Sequence, residues 1–427
     1  MTTDDPSNTY AGRAERHIRY LCEQIGPRPS TGDGERAGAE YTATVMRAAG
    51  LRDVRLEGFT SPRSTYAPYR RLYAAALFGA LLGRRGRRQL DRRAWALVAA
   101  LLNAIAAWSF IAEADLADNP THLLLPRGDS QNVVGVIPAR EEPETPRWRV
   151  VLYGHLDTHC TPIFYSNPLW LRLFSLLVGA GFVSLVTNAL LYGARALGLP
   201  RRMPEIGSYS CGFAWIVRSG VTVVMRAAHG LQLLGLALTT QADLTPYTVG
   251  ANDNASGAAT ALALGERLAG APLRQTEVWV VNTGCEEVGS YGIAALLDRH
   301  GETLRDALFL DLDMVGIGRP AVIPRQGLLR KVRADDELLA AARAVTLARP
   351  DLEAWSHEID AFDDSYKVAR RGFRGMTIDA EGSPGSTSAA EHKHWHRLSD
   401  TPDRIDRVAL GRVHAFTWEM LQRLDER

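Results

Sequence analysis

Two long uncharged runs restrict what this chain can fold into more than any other feature. Nineteen residues from 94 to 112, AWALVAALLNAIAAWSFIA, and twenty-two from 173 to 194, LFSLLVGAGFVSLVTNALLYGA, contain no Asp, Glu, Lys or Arg. A helix of about 20 apolar residues matches the thickness of a bilayer core. The runs lie in wider apolar regions, 67–118 and 163–243, and the first also holds the arginine cluster GRRGRRQLDRR at 83–93. Such a cluster suits an anionic lipid surface. Against full spanning, the stretch 72–83 is short, and Arg218 and Arg226 divide the last apolar region. The competing arrangement is a soluble helical subdomain, apolar all round because its helices pack on one another or across a homo-oligomer interface.

Paired as hairpins, the runs would keep their arginine-bearing tips, 84–93 and 195–202, in the cytoplasm. The remainder would then lie outside, although the polar amino terminus shows no basic start and apolar core of a cleavable signal peptide. Interfacial or re-entrant insertion from the cytoplasmic side avoids that conflict. The expected location is the membrane, through these insertions, and otherwise the cytoplasm.

The rest of the chain has a different rhythm. Short β-rich runs, NVVGVIP (132–138), WRVVLYG (148–154), EVWVVNT (277–283), ALFLDLDMVG (307–316) and RGMTIDA (374–380), alternate with helical patterns such as ASGAATALALGERLAG. Residues 14–48 read as helix, interrupted by the turn residues IGPRPSTGDG and closed at Gly50. Apolar strands alternating with helices predict an α/β fold: a mixed, centrally parallel sheet covered by helices on both faces, with an inserted apolar helical module. The predicted division is 1–66, 119–162 and 244–427 for the α/β domain, and 67–118 and 163–243 for the insertions. A net charge of +1 in 427 residues supplies no field for nucleic acid. Four cysteines without CxxC spacing indicate neither a disulfide framework nor a cysteine zinc site. Cys285 reads as a small buried filler rather than a nucleophile.

Functional residues of such sheets gather at the carboxyl ends of strands, and four segments there carry candidates. VLYGHLDTH ends a strand with His155 and Asp157. TVGANDNASG sets Asp253 in a glycine-bracketed turn before a helix. VNTGCEEVGS places Glu286 and Glu287 side by side after a strand, where like charges are costly to desolvate without a positive neighbour. LFLDLDMVG supplies Asp311 and Asp313 on one face. A fifth segment, EHKHWHRLSDTPDRID, offers His392, His394 and His396. Histidines with this many carboxylates make a nitrogen and oxygen donor set suited to two zinc ions. Taken singly, each has a plainer use: a helix cap for Asp253, a helix start for the paired glutamates, a surface tract for the histidines.

In this order, GHLDT, GANDNASG, CEEVGSYG, LDMVG and WHRLSDTPDRI resemble metallopeptidase family 28, the co-catalytic dizinc aminopeptidases. The likeness covers roughly 14–60, 128–160 and 244–427. It implies two zinc ions, with His155 and Asp313 on one, Glu287 and His396 on the other, and Asp253 bridging them. It further implies that Asp157 steadies His155 and that Glu286 stays unligated as general base. His396 is preferred because it heads the family's His-x-x-x-Asp-Thr pattern with Asp400 and Thr401, and Asp313 because it immediately precedes Met314. The activity implied is hydrolysis of a peptide bond by metal-activated water, at a free amino-terminal residue. Two other classes compete: a zinc acyl-transfer enzyme of the glutaminyl cyclase type, and a non-catalytic binding domain on the same scaffold. The apolar segments, entering just before and just after the first ligand motif, depart from the family pattern. Asp363, Asp364, Ser365 and Tyr366 resemble a site-lining segment and read equally well as a solvated helix start.

Overall fold

The computed structural model describes residues 6–85, 88–117, 119–141, 148–199, 209–382 and 394–426. The backbone divides into unit 1, made of Met1–Thr65, Pro126–Pro168 and Pro246–Arg427, and unit 2, made of Tyr66–Leu125 and Leu169–Thr245. In chain order the elements are α1 (Pro6–Arg19), α2 (Asp33–Ala48), β1 (Arg52–Pro62), α3 (Ala67–Leu82), α4 (Gln89–Ala114), β2 (Arg127–Ile137), β3 (Trp148–His155), α5 (Pro168–Ala196) and α6 (Tyr209–Asp243). Next come α7 (Ser256–Gly270), β4 (Thr276–Thr283), α8 (Tyr291–His300), β5 (Leu308–Leu312), β6 (Arg319–Ile323), β7 (Arg325–Gln326), β8 (Val332–Arg333), α9 (Asp336–Ala348), β9 (Trp355–Ser356), α10 (Asp364–Arg370), β10 (Arg374–Glu381) and α11 (Arg407–Asp425).

Unit 1 is built on an eight-stranded sheet in the order β1-β2-β4-β3-β5-β10-β6-β9. The four central strands run parallel, β4 beside β3, β3 beside β5 and β5 beside β10. The flanking pairs β1/β2, β2/β4 and β6/β10 are antiparallel. The expected mixed, centrally parallel sheet is therefore present. Successive residues of a strand face opposite ways, so the unbroken apolar run of β3 feeds two cores at once. Val150 and Leu152 join the core beneath α1, α2, α7, α9 and α11, while Val151 and Tyr153 join the one beneath α8 and α10. Parallel strands buried on both faces require this composition.

Close packing of α7 against the strand ends places the turn that precedes it. A Cβ at Gly257 would lie 1.9 Å from the Leu312 carbonyl oxygen, and one at Gly154 would lie 2.8 Å from the Ala258 nitrogen. Only glycine lets helix and strands approach this closely.

Among the described residues, unit 2 contains only helical elements. The first apolar core of this unit joins Leu72, Tyr73 and Ala76 of α3, Ala106, Ala107 and Phe110 of α4, and Leu185 of α5. A second joins Ala80, Ala99, Ala100, Tyr192 and Met225. The expected apolar runs are thus helical: 94–112 falls within α4 and 173–194 within α5. Arg218 lies outside the residues whose side chains are described.

Candidate metal centre

The candidate side chains come from five loops at the carboxyl ends of the parallel strands, each held by contacts remote in sequence. Asp157, just beyond β3, is fully buried, and its carboxylate accepts hydrogen bonds from the backbone nitrogens of Glu286 (3.0 Å) and Glu287 (3.1 Å) and from the Ser30 hydroxyl (2.7 Å). One carboxylate therefore pins the start of the glutamate loop. Glu35 holds the residue before it, accepting from the backbone nitrogens of Cys285 and Thr31 and from the Ser130 hydroxyl, each at 2.8 Å. Burial, helped by Asp157, pushes Glu35 up to about 7. The buried Asp400 accepts from the backbone nitrogens of Asn252 (2.7 Å) and Asp253 (3.0 Å), fixing the turn before α7.

Arg28 ties two of these loops together. Its buried guanidinium donates to the carbonyls of Leu156 (2.7 Å), Leu21 (3.1 Å), Gly26 (3.0 Å), Val249 (2.9 Å) and Gly250 (3.2 Å). The planar five-donor fork of arginine suits such a set of fixed acceptors. Neither Arg28 nor Glu35 belongs to the set of residues that the sequence motifs single out.

The motif residues converge as two adjoining groups. His155 Nε2 lies 3.4 Å from Asp253 Oδ1 and 3.8 Å from Asp313 Oδ1. His396 Nε2 lies 3.1 Å from Asp253 Oδ2 and 3.3 Å from Glu287 Oε2. Asp253 thus presents one oxygen to each histidine. Glu286 sits beside the first group, its Oε2 3.9 Å from His155 Nε2. The ring of His155 is oriented by its other nitrogen, which donates to the Asp157 carbonyl at 3.1 Å, with the Asp157 carboxylate at 3.4 Å.

Among the alternatives, Asp311 faces away and accepts from the Ser365 backbone nitrogen, and His394 pairs with the Ser399 hydroxyl. His392 lies outside the described residues. Asp363 caps α10, and Asp364 accepts from the Thr283 hydroxyl at 2.8 Å inside the protein, so this segment is buried rather than a solvated helix start.

One histidine beyond the motif set also reaches the site. His159 stacks on His396 with ring centroids 3.7 Å apart, donates from Nδ1 to the Cys160 carbonyl and directs Nε2 towards Glu287 at 4.0 Å. Burial, reinforced by His396, holds it well below the usual imidazole range, hence neutral. The available signal was a second imidazole four residues after His155 in the same loop.

The electrostatics are those of a site short of positive charge. Burial drives Glu286 well above the carboxylate range against the pull of His155, and Glu287 aggravates it. Glu287 is pushed up to about 7 by burial, with His396 opposing. Asp313 is likewise raised well above its usual range, chiefly by burial. Burial works against charge on His396 too, but Glu287 and Asp253 raise it to about 9. Among the candidate ligands, three buried carboxylate oxygens, Asp253 Oδ2, Glu287 Oε1 and Asp313 Oδ1, have no hydrogen-bond donor in proper geometry. Buried acceptors of this kind call for cations. Ligand atoms of His155, Asp253 and Asp313 lie within 4.8 Å of one another, as do those of His159, Glu287 and His396. The residues present therefore fit divalent metal, and their nitrogen and oxygen donors suit zinc. Cys285 is no competitor, since burial, with Glu35 and Asp157 nearby, pushes its thiol well above the usual range.

The family model described as Peptidase family M28 matches residues 223–421. A comparison with curated protein sequences finds no match. Among solved structures, the chain is similar to the zinc aminopeptidase BSAP from Bacillus subtilis, at 14% identity and TM-score 0.54, over 97% of this chain and 94% of that one. It is similar to an aminopeptidase from Aneurinibacillus sp. strain AM-1, at 12% identity and TM-score 0.54, over 96% and 93%. A glutaminyl cyclase from an Acidobacteriales bacterium aligns at 14% identity and TM-score 0.52, over 100% and 98%. These likenesses establish a zinc-exopeptidase type of fold, and the family match bears out the resemblance read from the motifs.

Proposed function

We propose that this chain, whose residues 223–421 match the model of Peptidase family M28, is a dizinc aminopeptidase. The observation that carries the reading is the pair of adjoining ligand groups joined by Asp253, with Glu286 beside them and outside both. His155 and Asp313 would hold one ion, Glu287 and His396 the other, and Asp253 would serve both, with His159 close enough to join the second set. Bound zinc supplies Lewis acidity, which polarises a carbonyl and lowers the pKa of water. Glu286 takes the proton of the attacking water and returns it to the departing amine nitrogen. Asp157 positions that base in two ways: it orients His155, and it fixes the backbone of Glu286 and Glu287.

The substrates are peptides or aminoacyl amides with a free amino terminus. The test is hydrolysis of unblocked and amino-blocked aminoacyl amides by the full-length protein, with and without zinc, beside Glu286→Gln. Zinc-dependent turnover of unblocked substrates alone, abolished in the variant, is the expected result. A zinc-loaded, folded protein that turns over none of them would overturn it. An amino-terminal glutaminyl peptide belongs in the same panel, because ammonia release with ring closure would identify the cyclase chemistry whose fold is shared. We also propose that the protein is membrane-associated through unit 2, whose α4, α5 and part of α6 are long and apolar enough to cross a bilayer.

A further inference from the structure

Unit 2 is arranged inside out compared with a water-soluble helical bundle. Its helix contacts are made largely by small residues: Ala76, Ala80, Ala99, Ala106, Gly181 and Ser184 are buried. A Cβ on Gly79 would lie 3.3 Å from the Ala99 Cα, so α3 and α4 approach almost backbone to backbone. Polar amides occupy the centre. Asn103 and Gln232 are fully buried and share a hydrogen bond of 3.0 Å, Asn103 also donates to Ala99, and Gln232 reaches the Ser184 carbonyl. Asn188, one turn beyond Ser184, is buried too. The large aliphatics and aromatics point outward instead: Phe78 and Leu81 of α3, Leu101 and Ile105 of α4, Leu176 and Leu190 of α5, Leu233 and Leu234 of α6 are all exposed.

Every helix therefore shows an apolar exterior, and in the most apolar windows of α5 and α6 only 17% and 11% of residues are buried. A second copy of the chain would cover one side of such a unit, whereas lipid covers all of them. Small residues at contacts and amides between helices are also how helices associate in lipid, where apolar surface alone gives no drive to pack.

Charge marks the two boundaries. At the turn between α3 and α4 lie Arg84, Arg85, Arg88, Arg92 and Arg93, and Arg195 ends α5. Arg226 is exposed on α6, and Arg201 and Arg202 lie in the α5–α6 connection, outside the described residues. The opposite helix ends carry fewer arginines: Arg70, paired with Asp243, and the exposed Arg71 and Arg172, while His122 pairs with Glu113. Between these limits α4 holds nineteen uncharged residues, α5 twenty-two, and α6 sixteen, from 227 to 242. α3, at 16 residues, rises about 24 Å, which suits a locally thinned bilayer with arginines reaching the surface.

We infer that unit 2 spans the membrane as a bundle of four helices, with the arginine-bearing turns α3–α4 and α5–α6 in the cytoplasm. The other ends of all four helices continue in sequence into unit 1. Unit 1, including residues 1–65, is then on the outer side of the membrane. Arginine in short loops governs orientation, while long domains cross largely regardless of their charge. Spanning is preferred to the interfacial or re-entrant insertion considered from sequence, because α4, α5 and the Ser219–Asp243 part of α6 are long and apolar enough to cross. On the peptidase reading, the substrates would be peptides outside the cytoplasm.

The test uses the full chain expressed in bacterial cells. Exposed Arg88→Cys and Glu302→Cys variants are treated with a membrane-impermeant maleimide, on intact cells with a permeable outer layer and after lysis, beside the parent protein. A carbonate wash of the membranes accompanies the labelling. The expected result is protein retained after the wash, Glu302→Cys labelled on intact cells and Arg88→Cys labelled only after lysis. Release by carbonate would overturn the spanning bundle. Labelling of Glu302→Cys only after lysis, or of Arg88→Cys on intact cells, would overturn the orientation. The labelling is independent of peptidase activity, so this inference and the functional reading can fail separately.

Discussion

Both units bury polar side chains, and they bury different kinds. In unit 1 the groups gathered at the strand ends are titratable, the buried His155, Asp253 and His396 beside the half-buried Glu287, and one carboxylate oxygen each of Asp253, Glu287 and Asp313 lacks a donor in proper geometry. In unit 2 the buried groups are the amides of Asn103, Asn188 and Gln232, which carry no charge at any pH. Charge concentrated in a low-dielectric site is a device for holding cations and moving protons. Neutral amides between helices fix how those helices pair and do no chemistry. The same cost of desolvation thus serves reactivity in one unit and assembly in the other.

The largest effect expected from breaking this contrast is at Glu286. Glu286→Gln should lower kcat roughly a thousandfold, the usual scale for loss of a general base, while zinc content by metal analysis stays at the wild-type level. Loss of zinc together with activity would instead make Glu286 a ligand. Next is Arg28→Met, which strips the donors from five carbonyls; a loss of about 3 kcal/mol or more is expected in chemical unfolding. Ile105→Lys sharpens the comparison from the other side. An exposed isoleucine facing water could be replaced at almost no cost, whereas one facing lipid near mid-helix should cost about 3 kcal/mol, seen as a fall in the membrane-inserted fraction. His159→Gln should weaken zinc binding about tenfold in competition with a chelator, the scale for groups that support a metal site.

The smallest effect is a slope with pH. In metal-free protein Glu35 is raised to about 7, and burial raises Asp400 to about 8. For a carboxyl raised on folding, the associated stability is full below the unfolded value near 4 and is lost as pH rises through the folded value. Thermal melts in chelator should therefore show a falling midpoint between about pH 4 and pH 8. A midpoint that rises over this range would contradict the assigned burial.

The parts of the site legible in sequence share a local signature. GHLDT, CEEVGS and LDMVG each put ionisable residues where an apolar strand stops, so the strand itself announces them. Arg28, Glu35 and Asp400 carry no such signal, because they act on backbone groups far away in the chain, such as Val249, Cys285 and Asn252. The central strands β3, β4 and β5 are readable from continuous apolarity. β1 is not, since its exposed positions break the pattern, and neither is β9, two residues long. The helical nature of the apolar runs is plain in the sequence, but their outward-facing aliphatics are not, because composition does not say which face packs.

Both insertions begin and end at paired backbone. Pro62 and Arg127 face each other in the β1/β2 register on either side of the first, and Cys160 bridges to Tyr247 around the second. Each helical segment therefore takes the place of an ordinary reverse turn, returning the chain to the spot it left. Loop-closure entropy grows only slowly with length and rewards ends that meet. Excising 66–125 and 169–245 and joining the stumps with short glycine-rich turns should consequently leave the strand register intact, which makes each enlarged turn a detachable addition to the sheet of unit 1.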